Sequence, residues 1–352
     1  MQDIELRIMD EGFEQIAVIR DFSSLQWSQK YYEPGAFDVR VGLHYAHMLP
    51  SAHYVYRVGT DELGVIDVLK IDDGCMLRGR FAGAQLMERS INRRVTYTGT
   101  VEDVCREIVR TFCIQPDDPA RAVPHLALGV HAGLGGEPIT IQPYGKTVYD
   151  AVREVLTEAE MSMRLRYDFT QNLLLFEVCQ GLDRTQNQAD NEWCVFSSST
   201  YNVTKEVFTR TLDTRNFAYV VNGDEDKNED EWVIEIEIDD GRPRAEVWVQ
   251  DNTRLTEEMT EAEFEAAVRQ TGLNKLAEYN IADTIECEIA IHGGMPCGIG
   301  DLCTYTNAQL GLTFEQRVTE IREVREPDRV STSVVLGKDE LTEGRKIMRK
   351  VT

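Results

Sequence analysis

No run of apolar residues in this 352-residue chain approaches the roughly 20 that a helix needs to cross a bilayer, which excludes a helical membrane span. Basic residues are scarce. Against 61 Asp and Glu stand 37 Lys and Arg, for a net charge of −24 and a pI near 4.7. Such a surface repels phosphate backbones and anionic lipid, so duplex gripping and polybasic anchoring are set aside, while a surface that nucleic acid slides past stays compatible. The start, Met1-Gln2-Asp3-Ile4-Glu5, lacks both the basic residues and the apolar stretch of a secretory signal, so synthesis and folding in a cytoplasm are expected. Tandem repeats and low-complexity tracts are also missing. What remains is ordinary globular composition, 42% apolar and 28% charged. The length suits about two domains and a core that needs no cross-links.

Closely spaced metal-ligand pairs are absent as well. Eight cysteines stand singly, with no C-x-x-C. Cys105 and Cys113 lie eight apart in a helical pattern and read as core thiols. His292, Cys297 and Cys303 fall within twelve residues, but structural zinc ligands come as closely spaced pairs, so buried free thiols are expected here and no metal. The chain contains no G-x-x-x-x-G-K-[ST], H-E-x-x-H or G-x-S-x-G. Residues 129–136, GVHAGLGG, lack the lysine of a phosphate loop and no clear strand feeds them; a surface loop is expected. Glu257-Glu258 and the Glu261/Glu263 pair are carboxylates among 61 acids, and nothing marks either as a buried acid, so a glycosidase is not favoured. His44, His47 and His53 are expected to be exposed or packed rather than ligands. Asn202-Val203-Thr204 matches the glycosylation sequon but is expected to stay bare without a secretory signal. No catalytic residue and no cofactor are assigned.

Hydrophobic periodicity divides the chain. Period-two stripes at Ile4, Leu6 and Ile8, at Phe37, Val39 and Val41, and at Tyr54, Tyr56 and Val58 precede strands over 65–71 and 76–81, which flank the hairpin turn Asp72-Asp73-Gly74. Short strands with tight turns point to a barrel or sandwich. A short helix over about 83–91 closes this N-terminal β domain, 1–98. Residues 99–191 read as an α/β domain. Its helices begin at the caps Thr100 and Thr147, and between them 115–136 is a long Pro- and Gly-rich loop. Its strands lie at 162–168 and 173–178. A C-terminal β domain, 192–337, carries strands at 203–211, 217–221, 232–238 and 245–249. An acidic loop lies at 224–231, a helix at about 257–281 is weakened by Gly272, and four more strands follow. Residues 338–352 read as a charged helical tail. Alternation continued past 232–238 places Glu235, Glu237 and Asp239 on one strand face, which reads first as an ordinary solvated outer face.

Six fragments in sequence order are familiar. Leu25-Gln26-Trp27 followed by residues 30–39, KYYEPGAFDV, resembles the opening of the siphovirus ReqiPepy-like tail protein family. Gly64-Val65-Ile66-Asp67 with Leu77-Arg78-Gly79-Arg80 resembles its next hairpin, and Gly181-Leu182-Asp183-Arg184-Thr185 its G-x-D-R-T segment. Val195-Phe196-Ser197, residues 216–220 (NFAYV) and Gly300-Asp301-Leu302 with Val318-Thr319-Glu320-Ile321 resemble its later strands. The likeness spans about 4–337.

The resemblance implies a β-rich α+β fold, with two tube-like antiparallel β-barrel domains and a small α/β domain between them. It also implies a non-enzymatic baseplate hub of a phage tail or tail-like particle. Such a hub is a homotrimer that joins the sixfold tail tube above to a threefold tip, spike or fibre protein below. Genomic DNA passes through without specific binding, which makes Glu235, Glu237 and Asp239 candidate repulsive carboxylates lining the channel, and no stable membrane insertion is expected. Two other classes compete. A tail-associated cell-wall hydrolase would place its enzyme domain after the hub, and none is expected because the chain ends about fifteen residues past its last strand. A sugar-binding receptor module would stack Tyr54 and Tyr56 on pyranose rings, although alternating strand aromatics are more often core.

Overall fold

The computed structural model describes residues 4–197, 199, 202–211, 214–222, 233–256, 259–277, 279, 282–289, 297–308 and 311–337. The first unit is antiparallel throughout. It comprises β1 (Leu6–Met9), β2 (Gln15–Ile19), β3 (Phe22–Lys30), β4 (Ala36–Val41), β5 (Tyr54–Arg57), β6 (Leu63–Ile71) and β7 (Cys75–Phe81), in the order β3-β4-β7-β6-β5-β1-β2. Strict alternation decides its faces. Phe37, Val39, Val41, Leu77 and Phe81 are buried, while Arg40, Arg78 and Arg80 point out. The Asp72-Asp73-Gly74 turn forms as expected, with the Asp72 N–H donating to the Gly74 carbonyl at 2.9 Å. The short helix expected at 83–91 is a run of tight 3₁₀ turns over Ala82–Glu88.

The second unit holds β8 (Tyr97–Gly99), α1 (Val101–Val109), β9 (Leu126–Leu128), β10 (Ile139–Ile141), α2 (Val148–Glu158), β11 (Ser162–Asp168) and β12 (Leu173–Cys179). Both helices start at the expected threonines, whose hydroxyls accept the backbone N–H of Asp103 and Asp150. The long loop expected over 115–136 is interrupted by β9, which pairs in parallel with β12. Three residues are too few to show a period, so no pattern marks it in the sequence. The core of this unit takes Met9, Phe13, Tyr54, Leu63 and Leu86 from the first unit, so residue 98 does not separate two cores.

The third unit contains β13 (Val195–Ser197), β14 (Val203–Thr211), β15 (Phe217–Asn222), β16 (Val233–Glu237), β17 (Glu246–Asp251), α3 (Glu261–Ala277), β18 (Ala282–Ile289), β19 (Leu302–Asn307), β20 (Leu312–Glu326) and β21 (Arg329–Leu336). It has two cores. In one, α3 covers the sheet β16-β15-β17, where β15 and β17 run parallel. In the other, β13, β18, β19, β20 and β21 enclose Phe196, Cys287, Tyr305, Val318 and Leu336. The acidic segment 224–231, Glu257-Glu258, His292 and the tail 338–352 lie outside the described residues.

The β-rich, mainly antiparallel character is as expected, but the two separate tube-like barrels are not found. The cause is β20. Its first half pairs with β19, a register shift follows between Val318 and Glu320, and its second half pairs with β21 on one side and β3 on the other. The first and third units therefore share one open sheet, β14-β18-β21-β20-β3-β4-β7-β6-β5-β1-β2, and no barrel closes among the described residues.

Candidate functional site

Three of the fragments that carry the family resemblance, around Tyr31, Gly181 and Gly300 to Thr319, meet at one junction between the units. Tyr31, in the turn after β3, is 3% exposed, and its hydroxyl donates to the carbonyls of Glu160 (3.1 Å) and Cys179 (3.3 Å). Its N–H donates to the Thr319 carbonyl at 2.9 Å, and the Ser162 hydroxyl donates to its carbonyl. Burial pushes the Tyr31 phenol well above its ordinary range, against the lowering pull of Arg317. Two glycines let the backbones approach. A Cβ on Gly181 would stand 1.9 Å from the Gly300 carbonyl oxygen, and one on Gly300 would stand 2.3 Å from the Tyr31 ring. Asp301 then ties the G-x-D-R-T segment to the start of β19. One carboxylate oxygen accepts the Leu182 N–H at 2.8 Å, and the other accepts the Gly298 N–H at 2.8 Å and Arg184 Nε at 2.7 Å.

Beside this carboxylate lies a thiol cluster. The sulfurs of Cys194, Cys297 and Cys303 lie within 4.8 Å of one another, and all three residues are buried. Cys194 is placed by parallel pairing of β13 with β19, in which Val195 stands opposite Thr304. Contact among the three sulfurs holds the Cys194 thiol below its usual range and pushes the Cys297 and Cys303 thiols above theirs. Sequence spacing had grouped Cys297 and Cys303 with His292 and missed Cys194, about a hundred positions away. Only the strand pairing supplies that signal.

Other residues singled out in the sequence scatter. Glu235 and Glu237 are exposed on the outer face of the β16-β15-β17 sheet, near Trp248, which is 63% exposed. Strand β16 stops at Glu237, so exposed Asp239 lies beyond the strand rather than on its face. His44 and His47 are exposed and His53 is half-buried; His44 pairs with Asp21 at 3.2 Å. Over the GVHAGLGG loop, the fully buried Glu102 carboxylate accepts the N–H groups of Ala132 and Leu134, both at 2.8 Å. Those donors are thus spent on an internal anion. Tyr54 is 3% exposed and packs on Phe13, and half-buried Tyr56 stacks on Phe169 and meets the edge of Tyr167. The Asn202 amide donates to the Val195 carbonyl at 2.6 Å.

The shared sheet presents a polar, charge-balanced face. One register row runs Lys205, Glu288, Ser333, Arg322, Ser28, Ala36 and Arg80, from β14 across to β7. Its arginines and their neighbours are held by carboxylates: Arg322 by Glu320 at 2.7 Å, Arg78 by Asp38 at 2.7 Å, and Arg80 by Asp67 at 2.8 Å. Where the β20–β21 turn leans over β3 and β4, an open polar depression of about 530 Å³ is lined by Gln26, Asp38, Arg40, Arg78 and Arg329.

Comparison with known proteins agrees with this architecture. A tail protein from Neisseria meningitidis MC58 superposes with a TM-score of 0.58 at 13% identity, covering 96% of each chain. The 43 kDa tail protein of prophage MuSo2 from Shewanella oneidensis gives 0.57 at 14% identity, covering 96% of this chain and 99% of that one. Prophage tail protein gp18 from Listeria monocytogenes EGD-e gives 0.55 at 15% identity, covering 99% and 98%. At such identities the likeness is one of fold. No curated protein sequence matches the chain. The model of the Siphovirus ReqiPepy6 Gp37-like protein family matches residues 5–338. By that match, which takes in the junction motifs and nearly the whole chain, the protein belongs to the Siphovirus ReqiPepy6 Gp37-like family.

Proposed function

We propose that the chain is a non-enzymatic hub subunit of a phage tail baseplate. Three copies form a ring on the tail axis, with the tail tube or distal tail protein above and a tip, spike or fibre protein below. The observation that carries this reading is the single open sheet running from β14 to β2 through both β units. End strands present backbone donors and acceptors to another chain, and cyclic association of identical subunits covers them. The charge-balanced sheet face suits a lumen in which DNA passes without being gripped. The net charge of −24, to which Glu235, Glu237 and Asp239 contribute, adds repulsion. Assembly takes place in the bacterial cytoplasm, and the finished ring resides in the virion tail.

Mass photometry and negative-stain imaging of the full chain, alone and with its tube and tip proteins, test the reading. A threefold ring of trimer mass is expected. Val18→Lys and Val207→Lys place charge at exposed apolar positions on the two end strands. They are expected to deplete the ring while leaving the far-ultraviolet circular dichroism unchanged. A stable monomer in the presence of both partners, or clear lysis of cell walls by the purified protein, overturns the proposal.

A further inference from the structure

The thiol cluster is more than a patch of core. Among the described residues, Cys194, Cys297 and Cys303 are the one group of three cysteine, histidine or carboxylate side chains whose ligand atoms converge within 4.8 Å. Cys75, Cys105, Cys113, Cys179 and Cys287 lie outside it. We infer that these three sulfurs form a binding site for a thiophilic divalent cation, zinc, which clasps the segment leading into β13 to β19 and to the turn before it. This assignment does not depend on the hub reading.

The geometry needs little adjustment. With Zn–S near 2.3 Å, tetrahedral sulfurs stand about 3.8 Å apart, so three sulfurs already within 4.8 Å close onto an ion by small side-chain movements. The backbone that carries them is fixed beforehand. The Cys194 N–H donates to the Arg184 carbonyl at 2.8 Å, the Thr304 N–H donates to the Cys194 carbonyl at 3.0 Å, and the Gly298 N–H is held by Asp301 at 2.8 Å. Soft sulfur ligands select zinc over the hard cations, which prefer oxygen. Binding transfers the thiol protons to solvent and leaves one net negative charge on a zinc trithiolate. Arg184 lies close enough to act on Cys297 and Cys303, although Asp301 at 2.7 Å already pairs with its charge. Asp301 is not a fourth ligand, because its two oxygens already accept Leu182, Gly298 and Arg184.

The full chain is purified under reducing conditions, incubated with zinc sulfate, desalted and assayed for metal by mass spectrometry. One zinc per chain is expected. With cobalt(II) in its place, a thiolate-to-cobalt charge-transfer band and the strong visible absorption of a tetrahedral site are expected. Cys194→Ser, Cys297→Ser and Cys303→Ser should each abolish both signals, while Cys179→Ser should retain them. Should the cluster variants fail to fold, the wild-type chain decides alone. Folded wild-type protein that takes up no zinc, gives no thiolate-to-cobalt band, or holds two of the three sulfurs as a disulfide overturns the inference.

Discussion

Glu323 ties the two β units together through a single side chain. Its carboxylate stands 2.8 Å from Arg57 Nη1 on β5 and also accepts Arg325 Nε from its own strand. Burial pushes its pKa up, but Arg57 and Arg325 outweigh burial and leave it below 4.5. A carboxyl depressed in the folded state adds stability above its unfolded value, and that stability is lost as the pH falls through the depressed value. Glu323→Gln is therefore expected to cost roughly 1–3 kcal/mol at neutral pH, with the gap to wild type closing on acidification below 4.5. Thermal melts of both proteins across that range check it, and a pH-independent gap refutes it. Nothing in the sequence distinguishes Glu323 from the other acids of its strand, because its partner comes from a strand more than two hundred residues earlier. Tyr31 and Gly181 were legible as parts of family motifs, yet their joint role appears only where the three units touch.

Gly272 shows how an element can be read correctly and its flaw misread. As a helix-interior glycine it costs about 1 kcal/mol relative to alanine, so the sequence marks it as a weak point in α3. In the structure a Cβ there would stand 2.4 Å from Ile236 Cδ1 and 2.4 Å from Val220 Cγ2. The glycine is what allows α3 to lie close on the β16-β15-β17 sheet. Gly272→Ala is expected to destabilise, because overpacking costs about 1–3 kcal/mol against the propensity gain. A urea midpoint below wild type is the expected result; a midpoint above it would show that α3 has room to spare. Most other long elements were legible because alternation or helical spacing persists over several residues, whereas β2 was not read as a strand and β3 not by its period. Strands of three residues, β8, β9 and β10, carry no such period and were missed.

At the scale of the whole molecule, pairing of β20 with β3 makes the first and third units one hydrogen-bonded structure. Neither unit can lose its sheet without exposing the edge of the other, so their unfolding is expected to be a single cooperative transition. Hydrogen exchange should show β3, β4, β20 and β21 opening together. Loss of protection in β3 and β4 while β20 and β21 stay protected would contradict it. The strands that end the sheet, β2 and β14, lie far apart in the sheet order.

By itself the sequence determined the β-rich class, the position of most long strands and of the three α-helices among the described residues, the family, and the excess of negative charge. Each of these rests on local periodicity, local motif or summed composition, which need no knowledge of partners. Tertiary structure alone decided that the two β units fuse into one open sheet, that Cys194 joins Cys297 and Cys303, and that Glu323 meets Arg57. Such outcomes depend on register between segments far apart in the chain. A one-residue change in that register would turn every side chain of a strand to its other face, and local sequence does not record which distant strand fixes it.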